Sequence, residues 1–188
     1  MSSSATSAGL LPAVAQGNVS AFEELYDRYS PAVYGLLLRI LANADDAQEV
    51  LQETFVKAWS SAAMFDGLRG SEVAWLISIA RSRGIDRLRS RRTRVEREDQ
   101  AGREISIFPS FVENATGVDD AIQSQERQAV RSALAELPEA QRIALELAYF
   151  EGLSQSEIAT RLDQPLGTIK TRMQLGMKKM RERLAAFA

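Results

Sequence analysis

Apolar side chains recur along this chain three and four residues apart and almost never alternate, a pattern that predicts helices throughout and no strand. Phe22, Leu25, Tyr26 and Tyr29 form the first stripe, behind a capping box at Ser20 and Glu23. Pro31 predicts a restart, after which Val33, Tyr34, Leu37, Leu38 and Leu41 extend an apolar face to about residue 42. The run Asn43-Ala-Asp-Asp46 supplies a turn and cap residues for a helix whose inner face is Ala47, Val50, Leu51, Thr54, Phe55, Ala58 and Trp59. A loop with two glycines spans 63–70, and Ser71 caps a long helix with Val73, Trp75, Leu76, Ile79, Ala80, Ile85 and Leu88 inward.

Periodicity fails between residues 96 and 118, too long a stretch for an ordinary loop, which reads as an interdomain linker. Its run Ile105-Ser-Ile-Phe-Pro-Ser-Phe-Val112 is more apolar than a free linker requires and hints that it lies on something. A second domain begins with a helix from about Asp119 to Leu137, stopped by Pro138, and another from Glu139 to Glu151, ended by Gly152. Ser154 and Glu157 then form a capping box for a short helix with Ile158, Ala159 and Leu162 inside. Asp163-Gln-Pro-Leu-Gly167 is a turn, and a second helix follows with Thr168, Lys170, Thr171 and Arg172 on its first turns and Ile169, Met173, Met177 and Met180 inward by spacing. This is a helix-turn-helix, and short polar and cationic side chains at its second helix suit base edges in a major groove. An αα-hairpin with a solvated outer face shares that periodicity. The expected fold is all-α: a disordered tail at 1–9, a helical domain at 10–95, a flexible linker at 96–118 and a helix-turn-helix domain at 119–188.

Composition narrows the chemistry. The chain has no cysteine and no histidine, so disulfides, thiolate metal sites and the commonest general base are excluded, and neither catalysis nor a metal or other cofactor is expected. No apolar run approaches the roughly 20 residues of a membrane span, and the serine-rich start lacks the features of a signal peptide, so a cytoplasmic protein without membrane insertion is expected. The net charge of −2 conceals a strong segregation. Residues 1–60 carry −4 and residues 101–130 carry −3, whereas residues 81–97 hold eight arginines against Asp86 and Glu96, and residues 161–183 carry +5. Two basic blocks between acidic stretches predict two nucleic-acid contacts and a different partner for the acidic parts.

Two segments, Ala21-Phe-Glu-Glu-Leu-Tyr-Asp-Arg-Tyr through Ile85-Asp-Arg-Leu-Arg89 and Leu137-Pro-Glu-Ala-Gln-Arg through Arg183-Leu184, resemble the extracytoplasmic-function (ECF) sigma factors of the sigma-70 family, in that family's order and spacing. The resemblance implies sigma regions 2 and 4 in the two domains, with core RNA polymerase (β′ and β subunits) and promoter DNA as partners. It also implies an anti-sigma factor as regulator. With no cysteine here, any redox sensing would lie in that partner.

The segment 46–59 resembles the family's polymerase-docking helix: Gln48, Glu49, Gln52 and Glu53 form an exposed polar-acidic stripe able to meet basic residues of a β′ coiled coil, and Asp46 is a further candidate for polymerase binding. A solvated helix face would look the same. The loop and arginine helix resemble the part that engages the minus-10 element. Phe65, Asp66 and Arg69 with Ser82 are candidates to hold an unpaired base, and Arg81, Arg83 and Arg89 to neutralise phosphate. Phe65 reads equally as a loop anchor. Ser82 stands where the family commonly has Asn, which leaves the base preference open. In the second domain Thr168, Lys170, Thr171, Arg172 and Gln174 match positions that read the minus-35 element. Leu175 replaces a cation common in relatives.

A stand-alone helix-turn-helix regulator that binds a palindrome as a dimer is the competing reading. A helical carboxylate enzyme has no supporting constellation. With Ala188 closing the chain soon after the last helix, no further C-terminal domain is expected.

Overall fold

The computed structural model describes residues 9–98 and 121–185, which fall into two separate units. All of the expected tail but Gly9 and nearly all of the expected linker, including its apolar run, lie outside the described residues. Every regular element among the described residues is helical.

The first unit holds α1 (Leu10–Val14), α2 (Val19–Leu41), α3 (Ala44–Ser61), a 3₁₀ turn at Ala62–Met64 and α4 (Glu72–Glu98). Two expectations fail in α2. Its cap is Asn18, whose side chain accepts from the Ala21 N–H at 3.0 Å, so Ser20 lies inside the helix and the Ser20–Glu23 box is not the start. Asn caps as well as Ser does, and starting earlier adds helical residues. Nor does Pro31 interrupt the helix. An interior proline costs about 3 kcal/mol, but Leu25, Tyr29, Val33 and Leu37, on both sides of it, are buried in one core. At about 1.5–3 kcal/mol for each fully buried large side chain, that burial outweighs the missing hydrogen bond.

Ala42 ends α2 in the left-handed region (φ 50°), and Asn43 caps α3 by accepting from the Asp46 N–H at 2.8 Å. Ser71 Oγ accepts from the Ala74 N–H at 3.3 Å and starts α4 as expected. Helices α2, α3 and α4 pack around Leu25, Val33, Leu37, Ile40, Val50 and Leu76, and α1 closes the core with Leu11 and Val14. Gly84 lets α4 approach α2, since a Cβ there would stand 3.1 Å from Leu37 Cδ2 and 3.3 Å from Ile40 Cγ2.

The second unit holds α5 (Ala121–Ala135), α6 (Glu139–Phe150), α7 (Gln155–Arg161) and α8 (Leu166–Leu184). Gly152, at φ 63°, turns the chain after α6. The Ser154–Glu157 capping box is formed at both bonds, 3.3 Å from Glu157 N–H to Ser154 Oγ and 2.7 Å from Ser154 N–H to Glu157 Oε2. Ala144, Ile158, Ala159 and Ile169 are the centre of the core, joined by Leu147, Leu153, Leu162 and Met173. Met177 departs from its expected inward position and is 52% exposed. The reason is that α8 outruns α7: beyond Met173 it meets α6 and α5 through Gly176 and neighbouring positions, which turn a different stripe inward.

Candidate nucleic-acid interface

The polar-acidic stripe of α3 resolves into two. Gln48 and Gln52 are exposed, and one turn further Val56 is exposed too, an apolar member that sequence reasoning did not single out. Asp46, Glu49 and Glu53 turn the other way, toward α4. Arg87 Nη1 lies 2.9 Å from Asp46 Oδ1 and 2.8 Å from Glu49 Oε2, and its Nη2 lies 3.4 Å from Glu53 Oε1. Arg83 adds a 2.7 Å contact to Glu53, and Arg91 a 2.7 Å contact to Asp46. The hydrogen bond from Arg87, and then its charge, hold the Glu49 carboxyl below the usual carboxylate range. The same bond pushes the Arg87 guanidinium upward.

The acidic stripe and the arginine block are therefore not independent surfaces: three carboxylates of one are paired with three arginines of the other. Arg83 and Arg87, four residues apart, do share a helix face as their spacing predicts, but that face meets α3. Asp46, expected as an open docking residue, is held largely inside this seam. Arg81 and Arg89 lie off the seam's face; Arg81 is half-buried and Arg89 exposed.

The loop before α4 is built on Asp66. Its Oδ1 accepts from the Leu68 N–H at 3.0 Å, and its carbonyl accepts from the Arg69 N–H at 2.9 Å. Asx turns of this kind need a short polar side chain, which Asp supplies. Phe65 is half-buried and meets Trp75 edge to face, with ring centroids 5.8 Å apart, so it anchors the loop to α4. Asp66 and Arg69 are exposed, and Leu68 at the loop tip is 98% exposed. Ser82 is exposed beside a shallow depression lined by Lys57, Ser78, Ile79, Arg83 and Asp86. The structure thus gathers Ser82 with Arg83, while Phe65 is held by Trp75, seven residues before Ser82 on α4. Phe55 is buried, and Trp59 leans on Phe22 with centroids 5.1 Å apart.

In the second unit the turn is shorter than the sequence suggests. Asp163 takes the left-handed conformation at φ 49°, and α8 already begins at Leu166, so Gly167 lies in the helix. Lys170, Thr171 and Gln174 are exposed within the first turns of α8, and Thr168 is half-buried. Thr171 Oγ1 donates back to the Gly167 carbonyl at 2.9 Å. Arg172 Nη2 donates to Gln164 Oε1 at 3.3 Å, so the turn residue Gln164 steers it. Nothing in helical spacing would have found that contact, which ties the turn to α8. Leu175 is exposed.

The description "Sigma-70 region 2" matches residues 25–94, and "Sigma-70, region 4" matches residues 127–180. The ECF RNA polymerase sigma factor SigK of Mycolicibacterium vanbaalenii is 37% identical over 173 residues, covering 92% of this chain and 86% of that one. SigK of Mycobacterium tuberculosis is 38% identical over 176 residues, covering 92% and 90%. This chain belongs to the ECF sigma factors.

Among solved structures it is similar to Rhodobacter sphaeroides SigE in complex with the anti-sigma ChrR, at 32% identity and TM-score 0.46, covering 92% of this chain and 94% of that one. It is also similar to the sigma factor RpoE of Bartonella quintana in complex with the anti-sigma factor NepR, at 26% identity and TM-score 0.42, covering 89% and 98%. In this sigma factor the region 2 match spans most of α2, all of α3 and most of α4, so the ion-paired seam lies wholly within it. The region 4 match takes in all of α6 and α7 and most of α8. Among the described residues no helix is long and apolar enough to cross a membrane.

Proposed function

We propose that this ECF sigma factor docks on the β′ and β subunits of core RNA polymerase through α3, and engages the minus-10 element with the 65–71 loop and α4. The last helix, α8, reads the minus-35 element. The observation that carries the reading is the exposure of Lys170, Thr171 and Gln174 along the leading turns of the second helix of a helix-turn-helix. Such a helix end presents its N–H groups and side chains to phosphate and base edges together. Gln174 is the side chain suited to a bidentate pair with adenine, Lys170 to a phosphate, and Arg172 to either.

Opening the duplex takes a base out of its stack, at about a few kcal/mol. Asp66, Arg69 and Ser82 would offset this by hydrogen bonding to the base, and the arginines of α4 by holding the backbone. On α3 the surface offered to polymerase is Gln48, Gln52 and Val56, flanked by the outer edges of Glu49 and Glu53. The two domains act from the cytoplasm as 10–95 and 119–188, joined by the 96–118 linker. An anti-sigma factor, the regulator the family resemblance implies, would act by covering these same faces.

Run-off transcription with purified core polymerase and a promoter library tests the whole reading. Initiation at defined promoters, absent with core alone, is the expected result, and its absence rejects the reading. A footprint on a palindrome without polymerase would instead favour the stand-alone regulator. The docking assignment is tested by Gln48→Ala with Gln52→Ala, which leave the arginine partners untouched. The pair should weaken binding to core polymerase, and unchanged binding rejects this surface.

A further inference from the structure

Gln164 stands in the turn of the helix-turn-helix with its side-chain amide fixed at both ends. Its Nε2 donates to the Asp163 carbonyl at 3.0 Å, and its Oε1 accepts from Arg172 Nη2 at 3.3 Å. The backbone beneath is tied as well: the Gln164 N–H donates to the Ala159 carbonyl of α7 at 3.0 Å, and Asp163 is left-handed at φ 49°. With its NH2 group turned to Asp163, the amide presents its oxygen to α8. The Arg172 side chain leans back toward that oxygen, because helical side chains tilt toward the N-terminus.

Position on the helix decides what Arg172 can touch. Ile169, Met173 and Gly176 mark the inner face of α8, and Thr171 and Gln174 point the other way and are exposed. At about 100° per residue, Lys170 and Arg172 fall on opposite flanks between these two faces. A helix laid in a major groove about 12 Å wide turns its outer row to the base edges and its flanks to the phosphates of the two strands.

We infer that Gln164 is a positioning residue: it holds Arg172 on one flank of α8 for a backbone phosphate of the strand opposite the one that meets Lys170. Arg172 then fixes the register at which Thr171 and Gln174 meet the bases, and reads no sequence itself. A neutral acceptor suits this task. The arginines of α4 are neutralised by carboxylates, whereas an amide orients Arg172 and leaves its charge whole for phosphate. An arginine already ordered in the free chain also loses less side-chain freedom on binding. This deepens the function proposed above and rests on its assignment of α8 to the minus-35 element.

The test uses holoenzyme assembled with core polymerase and a labelled duplex of the strongest promoter recovered from the run-off library. Gln164→Met keeps the length of the side chain and removes its acceptor. Affinity should fall about threefold to tenfold, the range for one long side chain that must now be ordered on binding. The slope of log affinity against log salt should stay as it is, because the cation remains. Arg172→Ala should lower that slope by about 0.9, the loss of one phosphate contact on a duplex. In the Arg172→Ala background Gln164→Met should add nothing. An equal loss there would show that Gln164 only supports the turn, and would overturn the positioning role.

Gln164→Ala also removes the acceptor and serves if methionine upsets the turn; no loss of affinity in it overturns the role. A changed preference at one minus-35 position with an unchanged slope would make Arg172 a base reader and overturn the phosphate assignment. In the free full chain, NMR relaxation of the Arg172 Nε–H group should show an ordered side chain that becomes mobile in Gln164→Met. Equal mobility in both overturns the positioning and leaves minus-35 recognition standing. If neither Lys170→Ala nor Arg172→Ala weakens the holoenzyme on DNA, the assignment of α8 itself fails, and the role of Gln164 with it.

Discussion

Glu72 Oε1 accepts a hydrogen bond from the Leu11 N–H at 2.7 Å, so the first residue of α4 caps the start of α1. Helix α1 has no cap of its own, because Gly9 at its head has no side chain. A helix N-terminus leaves its first N–H groups unsatisfied, and a carboxylate there also complements the helix dipole. Glu72 Oε2 meanwhile lies 3.4 Å from the Tyr29 hydroxyl in the middle of α2. One side chain thus ties α1 and α2 to the point where the 65–71 loop enters α4.

Glu72→Ala should lower the stability of the first unit by about 1.5–3 kcal/mol, the range for a hydrogen bond to a charged group. Urea denaturation checks it. The Tyr29 hydroxyl is held above the usual tyrosine range, first by burial and then by the Glu72 charge. A raised acid contributes stability that is present below its unfolded value, near 10, and is lost as pH rises through the folded value. In Glu72→Gln the titration of Tyr29 should move down toward the usual range but stay above it, because burial remains. Ultraviolet titration of tyrosinate reads this, and an unmoved Tyr29 would mean that the carboxylate does not act on it.

Ser154→Ala removes half of the capping box and should cost about 1 kcal/mol of stability in the second unit. Glu157→Ala removes the other half. Since both groups serve one helix start, the double variant should cost less than the sum of the two. Chemical denaturation of the three variants gives the comparison, and strict additivity would show that the two bonds act independently.

Gly176 is buried where α8 crosses α6, and a Cβ there would meet Leu145 Cδ1 at 2.8 Å. Alanine gains about 1 kcal/mol of helix propensity, and the Leu145 tip can move, so Gly176→Ala should be close to neutral. Valine cannot be accommodated that way. Gly176→Val should destabilise by about 1–3 kcal/mol through overpacking and loosen α8 from its support. Thermal melts that show both variants alike would refute the close approach.

Lys170→Ala should weaken binding of the holoenzyme to every promoter alike and reduce the salt slope by about 1, as removal of one cation from a phosphate does. Gln174→Ala should leave the salt slope unchanged and flatten the preference at one minus-35 position, worth about 1–3 kcal/mol. Selection from a randomised minus-35 library at two salt concentrations separates them. Interchanged outcomes would mean that the two roles are assigned to the wrong side chains.

Much of this molecule is legible in its sequence because helices are governed by local rules. A period of 3.6 residues identifies the buried face of α3, from Ala47 through Ala58, before any partner is known. The cap at Ser154, the turn at Gly152 and the start at Ser71 follow from residues within a few positions of each other. Pro31 and Ser20 show where local rules lose: a shared core carries α2 through the proline, and a competing Asn18 captures the cap. Met177 fails for a related reason, since α8 changes neighbours along its length and its inward stripe shifts with them.

The sequence by itself determined the helices from α2 onward, most of their inner faces, the helix-turn-helix and the separation of acidic from basic segments, all set by interactions a turn or so long; α1, too short for a periodic stripe, was not legible. Only the tertiary structure decided what the outer faces meet. Glu53 and Arg83 are 30 residues apart, and Asp46 and Arg91 are 45 apart. Periodicity says that each charge lies outside the core, and it is equally satisfied by solvent, polymerase or phosphate. The packing of α3 against α4 in opposite directions brings the two rows into register, and that packing is fixed by the cores of three helices together. Charge sign was legible locally; charge partnership was not.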